Sequence, residues 1–184
     1  MATRGEATWR STSRWPIHSG CSASCSSLGT DPRVFPEQDA NLRRDLTDEQ
    51  RSRLDDIEQR RRSGDVIEAE LIERFALIWP SFFATGEAPI APPSHVGVQA
   101  SIETNRSIAR HFERKTLARG LTGLRVPTLF VHGEDDPLPV RSTTSTAELI
   151  PGTLVEIIPD CGHFPWVERP AAFHAAVERL LSRC

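Results

Sequence analysis

The sequence predicts an α/β fold with parallel strands, and three observations carry that expectation. The apolar run VPTLFVHG (126–133) is β-rich and closed by glycine. A second run, TLVEIIP (153–159), follows the helix-like stretch RSTTSTAELI. Pro170 then opens an amphipathic helix, a position where its missing N–H does no harm. Strand, helix, strand, helix is a βαβα unit, whose crossover makes the two strands parallel. The first run is uninterrupted by polar side chains over its apolar part, as a strand buried on both faces should be.

Ahead of that unit the text is helical. Thr47 and Gln50 form a capping box for LTDEQRSRLDDIEQRRRSGD, and Gly64 stops it. Asp65 with Glu68 is expected to cap a second helix. Its apolar residues Ile67, Leu71, Phe75, Ile78 and Phe82 recur at helical spacing and so share one face. GEAPIAPPSH is a breaker-rich loop. Val98, Ile102, Ala109 and Phe112 suggest a third helix. In the final helix Phe173, Val177, Leu180 and Leu181 face one way. The expected organisation is an atypical segment at 1–30, a helical region at 31–117 and a strand-bearing region at 118–184.

Composition narrows the function classes. With 184 residues the chain is long enough for one domain with a sizeable core. A net charge of −3 argues against nucleic acid or an anionic membrane surface as partner. No apolar run approaches the ~20 residues of a membrane span, and no apolar leader follows Met1. Four cysteines (Cys21, Cys25, Cys161 and Cys184) are too scattered for a disulfide framework. The Cys21/Cys25 pair has no matching pair downstream to complete a zinc site. The expectation is a cytoplasmic protein with reduced thiols, no metal and no cofactor.

Parallel sheets carry their chemistry on the loops at the C-terminal ends of the strands. Here those loops read HGEDDPLP and DCGHFPW. Asp136 on the first and His163 on the second can meet, the carboxylate accepting the imidazole Nδ1–H and fixing its tautomer. Glu134 and Asp135 compete locally for the acid position, but the Gly-x-x-Asp spacing from Gly133 selects Asp136.

With these words on the page, the chain resembles the α/β-hydrolase family. LRVPTLFVHGEDDPLPV, a further strand, GHFPWVERP and a closing amphipathic helix look like that family's last two strands and their loops. The resemblance covers residues 31–184, with 31–117 as a helical cap, and is nearest in wording to proline iminopeptidase-like hydrolases. It implies a C-terminal part of an α/β-hydrolase, with Asp136 as triad acid and His163 as triad base. It also implies a small-molecule or peptide substrate, with Trp79, Phe82 and Phe83 on the substrate-facing side of the cap or packed helix on helix. His132 matches a strand-end position of structural character, and His18, His95, His111 and His174 match no motif.

One part of the family pattern is missing. The nucleophile elbow Gly-x-Ser-x-Gly needs two glycines four apart, and no two of the 11 glycines are so spaced. Ser22 in GCSAS is the nearest decoy, but it follows no strand and opens no apolar helix. Residues 1–28 also lack any periodicity. Read two nucleotides on, permitted codons for this stretch can spell a glycine, His-Ser-Trp-Gly-Gly, a helix-like run ending His-Pro, and an apolar strand. The expectation is therefore an out-of-frame translation over 1–28, with the frame rejoining near Gly29; the alternative is a true but divergent N-terminus. Two functions follow: a serine hydrolase of ester or amide bonds (an N-terminal proline peptide among them), or an inactive truncated chain acting as an interaction module. In the second case the open edge of a half sheet invites self-association.

Overall fold

A computed structural model of the protein describes residues 31–183. The atypical segment, with Cys21, Cys25, Ser22 and His18, lies outside the described residues, as does Cys184.

Among the described residues, five α-helices precede the strands: α1 (Phe35–Leu42), α2 (Asp48–Ser63), α3 (Glu68–Ile78), α4 (Val98–Arg114) and α5 (Thr116–Leu121). Thr47 caps α2 as its sequence demands. Its hydroxyl accepts from Gln50 N–H, and the Gln50 side chain accepts from Thr47 N–H at 2.9 Å. Gly64 ends the helix in the left-handed region, at φ 89°.

The start of α3 differs from expectation. Val66 is buried at 4% exposure and Ile67 is extended, and the helix begins two residues later than an Asp65 cap would place it. Ile67 is the cap residue, 56% exposed, and Glu70 accepts from its N–H at 3.0 Å. Glu68 turns outward to accept from Val96 N–H instead. The helix also ends earlier, at Ile78, because Pro80 has no N–H to extend the ladder. Trp79–Phe82 form a 3-10 turn. Ile67 and Phe82 thus lie outside the helix, and the stripe that remains is Leu71, Phe75 and Ile78.

The strands are β1 (Leu129–Gly133) and β2 (Leu154–Ile158), joined through α6 (Val140–Ala147). They pair in parallel, Leu129 opposite Leu154 and Gly133 opposite Ile158. All five residues of β1 are buried. Leu129 and Val131 face a core with Ile158, Ala176 and Leu180, while Phe130 faces Ala147 and Ile150 on the other side. This two-sided burial is why the run contains no solvent-facing alternation. A short helix, α7 (Pro165–Glu168), leads into α8 (Pro170–Leu181). The buried stripe of α8 centres on Ala176 and Leu180, with Phe173 packed beside them. A small side chain at 176 lets the helix lie close on the sheet. No helix among the described residues is long and apolar enough to cross a membrane.

Replacing Thr47 by Ala removes one half of the capping box. Unfolding in urea should show a loss of about 1 kcal/mol.

Candidate active site

The loop after β1 is built to present one carboxylate. Asp136 N–H donates to Gly133 O at 3.1 Å, closing a tight turn, and Leu138 N–H donates to Asp136 Oδ1 at 2.8 Å. Its neighbours Glu134 and Asp135 point to solvent, whereas Asp136 is buried. Its second oxygen, Oδ2, accepts from His163 Nδ1–H at 2.9 Å. Asp136 and His163, which the sequence placed on separate loops, therefore meet. Burial separates Asp136 from its two competitors. Nδ1 carries the proton toward the carboxylate, so in the neutral ring Nε2 carries the lone pair that a general base needs.

His132 holds this loop from beneath. It is 2% exposed, with Nε2–H donating to Leu138 O at 2.9 Å and Nδ1 accepting from the Thr143 hydroxyl at 2.7 Å. The same residue, Leu138, thus takes one bond from His132 and gives one to Asp136. Burial lowers the His132 pKa from its ordinary value of 6.5, against the weaker upward pull of Asp136.

The base loop is stitched to the helical region by main chain. His163 N–H donates to Phe82 O at 2.7 Å. Glu168 bridges the same seam, its two carboxylate oxygens accepting from Gly162 N–H and Ala84 N–H, each at 2.9 Å. No side chain fits in this seam. A Cβ on Gly162 would collide with Phe82 O, and one on Gly133 would collide with the carbonyls of Cys161 and Gly162. Glycine is required at both for close backbone approach. Glu168 was not singled out in the sequence. The signal available was its place in the loop word GHFPWVERP, five residues after His163.

Phe82 and Phe164 pack their rings on His163, with centroids 5.1 and 5.0 Å away. Trp79 and Phe83 stand behind them, both buried and both against Phe164. Trp79 donates its indole N–H to Ile90 O at 2.7 Å, which anchors the loop after the 3-10 turn. Of the three aromatic candidates, Phe82 packs its ring on His163. Cys161, a buried free thiol beside this loop, has its pKa pushed up to about 12 by burial, with the Glu168 charge adding to the effect. It is a neutral packing group at ordinary pH, not a nucleophile.

Among the described residues no cluster of side chains has the makings of a metal site. A cavity of about 690 Å³ lies between α1, α2, α4 and the strand-end loops, and His163 forms part of its wall.

With this geometry, comparison with known proteins is direct. The profile of the alpha/beta hydrolase family matches residues 4–176, and the chain belongs to that family. The match starts at residue 4 and so takes in most of the segment that reads as atypical. A curated relative, the 2-hydroxy-6-oxo-6-(2'-aminophenyl)hexa-2,4-dienoic acid hydrolase of Metapseudomonas resinovorans, is 44% identical over 59 residues. That covers 32% of this chain and 20% of the relative, so the match spans about a fifth of the relative's length. Among solved structures, a serine hydrolase involved in carbazole degradation is 27% identical over 46% of this chain and 35% of its own, with TM-score 0.35. MenH from S. aureus is 24% identical over 75% of this chain and 55% of its own, with TM-score 0.44.

Two predictions test the supports of the pair. Glu168→Gln leaves one of the two amides, Gly162 or Ala84, without its carboxylate acceptor. Stability should fall by about 1–3 kcal/mol, and hydrogen exchange should speed up at one of these amides. The second concerns acid. His132 has a folded pKa below its unfolded value, so its stabilising contribution is complete above about 6.5 and is lost as pH falls below it. Urea midpoints measured across that range should therefore drop on acidification, and His132→Gln should flatten the slope.

Proposed function

We propose that this chain contributes the acid and the base of a serine-type hydrolase acting on ester or amide bonds of small molecules. The observation that carries the reading is the bond from His163 Nδ1 to a buried Asp136 carboxylate, itself held by Leu138 N–H. In the reaction, His163 Nε2 takes the proton of the attacking hydroxyl and returns it to the leaving group. Asp136 holds the tautomer and stabilises the imidazolium. Phe82, against the base, is the candidate for contact with substrate, and residues 31–117 act as the cap over the site. The curated relative is named for hydrolysis of a small acid, which supports a small-molecule substrate over a proline peptide. A cytoplasmic setting fits this reading.

One observation favours a second reading for the 184 residues by themselves. No Gly-x-Ser-x-Gly occurs anywhere in the sequence, so no serine is offered in elbow form. In that reading the chain is non-catalytic, and the β1 edge, which has no strand partner among the described residues, is where copies would associate.

The experiment compares two products. The 184-residue chain should hydrolyse aryl esters and proline arylamides no faster than buffer, because its sequence offers no Gly-x-Ser-x-Gly elbow to hold a serine for attack. Sequencing codons 1–30 and expressing the frame that encodes an elbow should restore turnover that fluorophosphonate blocks. In that product Asp136→Asn should cost about 10⁴-fold in kcat, and His163→Ala should remove serine-type turnover. Fluorophosphonate-sensitive activity that survives His163→Ala would overturn the assignment.

A further inference from the structure

The cavity that reaches His163 has two chemically different ends. One is apolar: Phe35 and Phe112 meet edge to face at 5.2 Å, and Ile108 and Leu138 lie beside them. Helix α4 has no buried residue at all, so its apolar face of Ile102, Ile108 and Phe112 is only half covered by protein. The other end is cationic. Glu58, 8% exposed on α2, binds Arg61 from its own helix at 2.7 Å and Arg74 from α3 at 2.6 Å. Burial raises the pKa of this carboxylate, but the charges and hydrogen bonds of the two guanidinium groups outweigh it, and the net effect is downward.

One carboxylate between two guanidinium groups leaves one positive charge uncompensated. It also leaves donors unused. Arg74 spends only Nε on Glu58, and Arg61 spends Nε and Nη2. Among the described residues, both terminal nitrogens of Arg74 and Nη1 of Arg61 have no acceptor. Arg43, on the same wall, does not change the sign. Its partners Asp39 and Asp55 hold their side chains 62% and 67% exposed at the rim, while the Arg43 side chain is 18% exposed. Arg62 adds a further positive charge at the edge.

We propose that this cavity selects a substrate with an apolar body and a carboxylate, the body against α4 and the carboxylate on Arg74 and Arg61. Glu58 occupies part of each fork and competes with the substrate carboxylate for them, and partial burial makes their charge-assisted bonds stronger than they would be at the surface. The proposal rests on the hydrolase reading for the statement that the occupant is a substrate. The site itself is read by binding alone.

The test is calorimetric titration of the full chain with phenylbutyrate and with its neutral amide, phenylbutyramide, at neutral pH and low salt. The acid should bind about tenfold tighter than the amide. Arg74→Gln should abolish that preference. Glu58→Gln should do the opposite and tighten the acid, since it removes the competing carboxylate. Should Arg74→Gln lose its native circular dichroism, Arg74→Lys keeps a charge against Glu58 but lacks the fork, and should cut the preference several-fold. Equal binding of acid and amide overturns the proposal. So do a preference that survives loss of the Arg74 fork, weaker acid binding in Glu58→Gln, or no saturable acid binding up to ~10 mM. Because turnover is not read, a chain without hydrolytic activity leaves this test intact. Conversely, a failed titration leaves the roles of Asp136 and His163 standing.

Discussion

The structure depends on a place where three backbones touch. Gly133 ends β1, Gly162 precedes the base, and Phe82 closes the 3-10 turn of the helical region. The absence of two side chains lets Cys161 O accept from Asp135 N–H at 2.8 Å, while Phe82 O accepts from His163 N–H at 2.7 Å. Acid loop, base loop and helical region are thereby locked through main-chain bonds, which vary less in geometry than long side chains do. The Asp136–His163 bond follows from this seam. Neither loop could hold its side chain at hydrogen-bond distance if the backbones stood a methyl group apart.

Around that seam, charge is managed by burial and by pairing. A buried carboxylate is costly unless its oxygens are engaged, and both oxygens of Asp136 are. Glu168 is satisfied by two backbone amides, and Glu58 by two arginines. Nearby neutral groups stay neutral: burial holds the Cys161 thiol protonated and disfavours the charged form of His132. The carboxylates of Asp136, Glu168 and Glu58 are therefore engaged before any substrate arrives, which holds the loops that carry them in place.

The helical region shows where sequence patterns stop being sufficient. Thr47, Gln50 and Gly64 act locally, through bonds within three or four residues, and the structure reproduces them. Asp65 does not cap α3: with Val66 buried, the cap position falls on Ile67 and the helix starts at Glu68. Apolar spacing continued through Phe82, but a period cannot register that Pro80 withdraws a donor and tightens the chain into a 3-10 turn. Phe82 is consequently aimed at His163 rather than along a helix face.

What the sequence determined by itself was local or topological. The parallel strand pair, the helix boundaries set by side-chain caps, and the convergence of Asp136 and His163 all follow from periodicity, turn residues and the geometry of parallel crossovers. The choice among three adjacent acids was legible only as a spacing. The tertiary structure distinguishes the three physically: Asp136 is buried, whereas Glu134 and Asp135 are exposed. Glu168 as a bridge, His132 as a prop and the paired arginines on Glu58 were decided there alone. Each joins residues distant in sequence, such as Ala84 and Glu168, through bonds that no local pattern encodes.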